Sequence, residues 1–220
     1  MAMKSVTSLH DGYALPCWFE PAQGARRGGV VVAQEIFGIT DHIREVCVRF
    51  AGQGYDAIAP SLYDRVEASF HAEHDAEGIA KGIKAAEATP MDQVAADMQA
   101  CINSLEGPVF ATGFCYGGAI AWLAAARCTG VAAASGFYGR LINRLLGDAP
   151  KAPIILHYGE NDAGIPLSEV DKVRAAYPDV PIHLYDAGHG FCREASHDFH
   201  APSRDLAMAR TFAFFTQHGG

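Results

Sequence analysis

Gly113-Phe114-Cys115-Tyr116-Gly117 holds a thiol between two glycines, at the point where the apolar run Pro108 to Phe114 gives way to the alanine-rich stretch Ala119 to Arg127. A strand that turns abruptly into a helix thrusts the central side chain outward, and the glycines leave room for the backbone to double back. The helix that follows sets the positive end of its dipole beside the sulfur, which favours the anionic form that acts as nucleophile. The Tyr116 N–H is then placed to stabilise an oxyanion formed by attack on a carbonyl. Taken alone, the pentapeptide also fits a helix packed closely on a sheet, with Cys115 as an inert core thiol.

Two further segments supply the partners that a thiol nucleophile needs. Tyr158-Gly159-Glu160-Asn161-Asp162 follows the apolar run Ile154-Ile155-Leu156, which puts Asp162 in a loop at the C-terminal end of a strand. Tyr185-Asp186-Ala187-Gly188-His189-Gly190-Phe191 follows another strand and puts His189 in a glycine-flanked loop at the same sheet edge. The expected roles are His189 as the base that takes the Cys115 proton or pairs with the thiolate, and Asp162 as the carboxylate that fixes the imidazole tautomer. Asp186, three residues before His189, is the competing acid, and position favours Asp162. The chain order nucleophile, acid, histidine is that of α/β-hydrolases, whereas other triad-bearing folds use other orders.

Positioning these groups requires a mostly parallel sheet covered by helices on both faces. Strands are predicted at Tyr13 to Phe19, Gly29 to Ala33, Ala57 to Ala59, Pro108 to Phe114, Gly130 to Ser135, Ala152 to Tyr158 and Val180 to Tyr185. Helices are predicted at Asp41 to Gln53, Ala119 to Arg127, Ser168 to Tyr177 and Pro202 to Gln217. Another starts at Thr89-Pro90-Met91-Asp92, where Thr89 offers a capping hydroxyl and Pro90 a first-turn proline. The polar segment Ser61 to Ala88 reads as partly helical, a lid or a substrate wall. Phe212, Phe214 and Phe215 read as the docking face of the last helix.

Composition bounds the function. The 220 residues fit one domain, residues 1–220, and a net charge of −8 leaves no basic surface to neutralise a phosphate backbone, so nucleic acid is excluded as a partner. No apolar run approaches the roughly 20 residues that span a bilayer, and the first residues lack a secretory pattern, so a cytoplasmic protein is expected. Of six cysteines, none forms a C-x-x-C pair. They read as free thiols, with Cys17, Cys47, Cys101, Cys128 and Cys192 as small hydrophobes. His71 with His74, and His197 with His200, could pair on a helix face, but no third ligand accompanies either and solvent-facing histidines are the simpler reading.

Four blocks in order, Gln34-Glu35-Ile36-Phe37-Gly38, Gly113-Phe114-Cys115-Tyr116-Gly117-Gly118, Gly159-Glu160-Asn161-Asp162 and Ala187-Gly188-His189-Gly190-Phe191, closely resemble the dienelactone hydrolase family, the carboxymethylenebutenolidases. The resemblance implies a cysteine hydrolase of small cyclic esters, with no metal or organic cofactor; a small-molecule ester or lactone is the expected partner, and both a monomer and a homodimer fit the sequence. It implies that Glu35 lies beside the resting thiol, that the Ile36 N–H is the second oxyanion donor, and that Arg193 grips a substrate carboxylate. By itself Glu35 could equally be a solvated loop acid. The chain departs from the family where a second carboxylate-binding arginine is expected, because Ser69 to Ala88 offers only Lys81 and Lys84. It departs again at Gly190, where the dienelactone enzyme has serine. Three other activities fit the same residues: a non-catalytic ligand binder, a carboxylesterase with a different substrate, and a redox-sensing thiol protein.

Overall fold

Two short runs, Gly28–Ala33 and Val109–Phe114, are buried at every residue, and such doubly covered strands belong at the centre of a parallel sheet. The computed structural model, which describes residues 2–220, places them side by side in parallel register, with Val31 opposite Ala111 and Ala33 opposite Gly113. In chain order the strands are β1 (Ala2–Thr7), β2 (Ala14–Glu20), β3 (Gly28–Ala33), β4 (Tyr55–Pro60), β5 (Val109–Phe114), β6 (Val131–Phe137), β7 (Ile154–Gly159) and β8 (Ile182–Tyr185). They form one sheet in the order β1-β2-β4-β3-β5-β6-β7-β8. The β1/β2 and β2/β4 pairs are antiparallel, and every pair from β4 to β8 is parallel. This is the mostly parallel sheet of an α/β-hydrolase fold.

Parallel neighbours require crossovers, which contain α1 (Asp41–Gly52), α2 (Ala76–Glu87) with α3 (Met91–Asn103), α4 (Tyr116–Arg127) and α5 (Leu167–Ala176), while α6 (Ala201–Gln217) follows the last strand and packs back on the sheet. Right-handed connections put α1 and α3 on opposite faces, since β4 lies to one side of β3 and β5 to the other. On one face α3 packs against α4. On the other, Phe50 of α1 meets Phe212 and Phe215 of α6 with ring centroids 5.3 and 6.0 Å apart, and Phe215 stacks on Phe110 of β5 at 4.4 Å. The helix α4 is buried along its whole length except Arg127, which its alanine and glycine content permits by letting the backbone lie close to the sheet.

The differences from expectation are local. The strand β1 lies where none is expected, because Ala2–Thr7 alternates weakly and gains its place by pairing with β2. A 3-10 turn at Arg140–Arg144 is a further addition. Thr89 does not cap α3: Pro90 precedes the helix, and the Thr89 hydroxyl instead donates to the Ala85 carbonyl at 2.8 Å, closing α2. The Ser61 to Ala88 segment contains α2, capped by Asp75, whose carboxylate accepts from the Gly78 N–H at 2.8 Å. It is fastened to the loop after β3 by a bridge between Gly38 and His71 and by the Ala72 N–H to the Phe37 carbonyl at 3.1 Å.

Candidate active site

Cys115 sits between β5 and α4 with φ 55° and ψ −113°, a left-handed conformation that costs a side-chain-bearing residue roughly 1–3 kcal/mol and persists only where the surroundings impose it. Its N–H donates to the Phe137 carbonyl at 3.0 Å, and its carbonyl accepts from Gly118 at 3.1 Å. The glycines serve close approach: a Cβ on Gly113 would lie 2.1 Å from the Gly117 carbonyl oxygen, and one on Gly117 would lie 2.2 Å from that of Ala33. Cys115 alone among the six cysteines is half-exposed; the other five are buried. Tyr116 is the first residue of α4, so its N–H has no acceptor within the helix and is free for an anion.

The acid and the histidine arrive from β7 and β8. Their loops are laced together by the Glu160 N–H to the Tyr185 carbonyl at 2.7 Å and the Asn161 N–H to the Ala187 carbonyl at 3.0 Å. The Asp162 side chain is fully buried. One oxygen accepts from the Gly164 and Ile165 N–H groups at 2.8 and 3.0 Å, and the other lies 2.7 Å from His189 Nδ1. Asp186, the competing acid, instead accepts from the Asn161 amide at 2.8 Å. Burial alone would lower the pKa of His189, yet the hydrogen bond to Asp162 and the electrostatic influence of the Cys115 sulfur push it up to about 10. With Nδ1 donating to Asp162, Nε2 is the nitrogen left for the sulfur.

Glu35 follows β3 and is fully buried. Arg193 Nη1 donates to both of its oxygens at 3.2 and 3.3 Å, and His74 Nε2 lies 3.6 Å away. Burial would raise the carboxyl pKa, but the His74, His42 and Arg193 side chains around it hold it down at about 2. The two residues expected to serve the thiol and the substrate therefore bind one another. Arg193 also lies over the Phe37 ring at 5.7 Å, and its Nε is buried without an acceptor. The buried Tyr138, at φ 37°, flanks the site: its ring meets His189 at 5.1 Å and Phe191 at 5.3 Å, and burial pushes its phenol well above the usual range.

His74 and Tyr138 are the residues that sequence reasoning missed. His74, read as solvent-facing, turns inward onto Phe37 with centroids 4.1 Å apart, while His71 turns to Glu73 at 3.3 Å, so the pair does not converge. His197 is exposed beside Asp198, and His200 bonds Ser203 at 2.7 Å, so those two also part. Nothing in the sequence distinguishes Tyr138 from the other tyrosines. Lys81 bonds Glu67 at 2.9 Å and the His71 carbonyl at 2.8 Å, and Lys84 is exposed. A cavity of about 540 Å³ lies at the opposite end of the sheet, around Pro153, Tyr177 and Pro181 before β7 and β8, and holds none of these groups.

Known proteins carry the same pattern. Residues 17–219 match the dienelactone hydrolase family. A provisionally named carboxymethylenebutenolidase of Escherichia coli (strain K12) is 37% identical over 212 residues, covering 87% of this chain and 77% of its own. One from Azospirillum brasilense, with the same provisional name, is 31% identical and covers 98% of both chains. The crystal structure of a provisionally named dienelactone hydrolase from Klebsiella pneumoniae superposes with a TM-score of 0.85 at 31% identity, again covering 98% of each chain. Among the described residues no helix is long and apolar enough to cross a membrane.

Proposed function

Because the chain belongs to the dienelactone hydrolase family and is a hydrolase of esters or lactones, we propose that it works through a Cys115-His189-Asp162 triad and a thioester intermediate. In the first half-reaction the proton of the Cys115 thiol resides on His189 Nε2, and the thiolate attacks the ester carbonyl. The resulting oxyanion takes hydrogen bonds from the Tyr116 and Ile36 N–H groups, aided by the N-terminus of α4. Collapse breaks the carbon–oxygen bond, and the imidazolium returns its proton to the leaving alkoxide, which in a lactone stays tethered to the acyl group. In the second half-reaction His189 takes a proton from water, the hydroxide attacks the thioester, and the thiol is reformed with release of the acid.

Asp162 holds Nδ1–H and supports the imidazolium throughout. Glu35 lies behind the oxyanion loop as an anion paired with Arg193 and His74. In this reading it acts on the thiol's charge, and Arg193 is the cation that a carboxylate on the substrate would share. The observation that carries the proposal is the His189–Asp162 bond of 2.7 Å on an imidazole whose pKa is raised by both Asp162 and Cys115. Intact-mass spectrometry during turnover of a lactone and of activated esters tests it. An acyl adduct on Cys115 that is absent from Cys115→Ala is expected. Full turnover by Cys115→Ala would exclude the thiol as nucleophile.

A further inference from the structure

The end of β6 touches both the nucleophile and the base of the proposed triad, although β6 supplies neither. The Phe137 carbonyl accepts the Cys115 N–H at 3.0 Å, so the last residue of the strand holds the backbone of the nucleophile. A Cβ on Gly118 would fall 2.4 Å from the same carbonyl oxygen, and one on Gly139 would fall 2.9 Å from the Gly118 carbonyl carbon, so the start of α4 is seated on this strand end without slack. Tyr138 comes next. Its N–H donates to the His157 carbonyl of β7 at 2.7 Å, and its φ of 37° lies in the left-handed region that a bulky side chain rarely adopts. An outlier of this kind persists where the surroundings impose it, and such residues cluster at functional sites. The ring is fully buried and meets His189 and Phe191 edge to face, with centroids 5.1 and 5.3 Å apart and interplanar angles of 61° and 70°. The Tyr138 hydroxyl donates to no member of the triad, so what the residue offers His189 is its ring.

An imidazole in this setting needs such a neighbour. The Asp162 bond fixes Nδ1 at one point and leaves the ring plane free to tilt about it, and with 35% of the side chain exposed its outer side meets water. A hydrogen bond weakens steeply as its angle closes toward about 120°, so the tilt of the plane decides whether Nε2 can exchange a proton with sulfur. Resting on the triad proposed above, we infer that Tyr138 is a positioning residue whose ring sets the plane of the His189 imidazole. Together with Phe137 it makes the end of β6 a gauge between base and nucleophile. The Cys115 backbone hangs from one residue of this strand end and the His189 ring leans on the next, so the two cannot separate without disturbing the left-handed turn at Tyr138. Edge-to-face contacts between flat rings are directional, which an aliphatic side chain of similar bulk does not reproduce.

The test sets Tyr138→Phe, which keeps the ring, beside Tyr138→Leu, which removes it, and measures kcat/KM for p-nitrophenyl acetate together with the His189 midpoint by proton NMR. Tyr138→Leu should lose about 10- to 100-fold in kcat/KM, the scale of a misplacement of the reacting groups by about 1 Å. Its His189 midpoint should move from about 10 back toward the ordinary 6.5, because a ring free to tilt loses part of the pull of Asp162 and Cys115 that raises it. Tyr138→Phe should match wild type on both counts. Phe110→Leu removes a buried ring at the far end of β5, stacked on Phe215 at 4.4 Å, and should keep both values while its melting temperature shows what a lost core ring costs the fold alone. Should Tyr138→Leu fail to fold, Tyr138→Met, which fills the volume with a flexible chain, is read in the same way. A Leu variant within about tenfold of wild type overturns the role, as does a loss with an unmoved midpoint, or an equal loss in Tyr138→Phe or Phe110→Leu. His189→Ala separates the two readings: if it is inactive, any of these outcomes removes the role of Tyr138 alone, and if it retains wild-type turnover, the triad and that role fall together.

Discussion

Asp162→Asn keeps the shape of the acid loop and replaces one acceptor with a donor. The remaining carbonyl oxygen of the new amide can still accept from the Gly164 and Ile165 N–H groups, now at 2.8 and 3.0 Å, but its NH₂ would face His189 Nδ1 where a carboxylate oxygen now stands at 2.7 Å. The imidazole must then accept at Nδ1 and carry its proton on Nε2, the nitrogen that should receive the thiol proton. A hydrogen bond to a charged group contributes about 1.5–3 kcal/mol, and one pKa unit is about 1.4 kcal/mol. The His189 midpoint, now raised to about 10, should therefore fall by about one to two units. Loss of the correct tautomer should lower kcat/KM by roughly 10³–10⁴-fold. Proton NMR of the imidazole Cε1–H gives the midpoint, and p-nitrophenyl ester hydrolysis gives the rate. The sign of the stability effect is fixed as well. A histidine whose folded pKa lies above its ordinary 6.5 adds stability below that pH, and the gain fades as the pH climbs through about 10, so the variant should lose more melting temperature at pH 6 than at pH 10. An unmoved midpoint with kcat/KM within tenfold of wild type would refute the triad as drawn.

Arg193→Met leaves Glu35 fully buried with only the histidines beside it; breaking such a pair costs about 3 kcal/mol, or a melting temperature lower by roughly 6–12 °C. Because the Glu35 carboxyl is held near 2 against an ordinary 4.5, the stability it supplies is present above pH 4.5 and lost as the pH falls through 2, so the gap between variant and wild type in calorimetric scans should narrow between pH 5 and pH 2. Gly117→Ala puts a methyl 2.2 Å from the Ala33 oxygen and should lower stability by about 1–3 kcal/mol. It should lower esterase activity in step by moving the Cys115 turn; unchanged activity would show that the turn tolerates displacement.

The parts of the fold that are legible in the sequence are those where one physical requirement dominates. β3 and β5 announce themselves as uninterrupted apolar runs because both faces are covered, and the Cys115 turn does so because only glycine fits around it. β1 is not legible, since an edge strand owes its conformation to its partner rather than to its own pattern. Thr89 misleads because a hydroxyl before a proline satisfies the rules for starting one helix and ending another equally well; the nearer carbonyl, at Ala85, takes it. Of the site, Cys115, Asp162 and His189 can be placed at one sheet edge from strand ends alone. The pairing of Glu35 with Arg193 and His74 cannot, because it depends on how a long polar loop folds back across the loop after β3.

The sheet's strand order is also an order of chemical groups. From β5 onward each new strand joins the edge left by the one before it, β6 on β5, β7 on β6, β8 on β7, so the order of the proposed triad along the chain, Cys115, Asp162, His189, is also its order across the sheet. Under the proposed triad, a chain cut short of β8 would keep the sulfur and the carboxylate and lack the imidazole, and should show no ester hydrolysis.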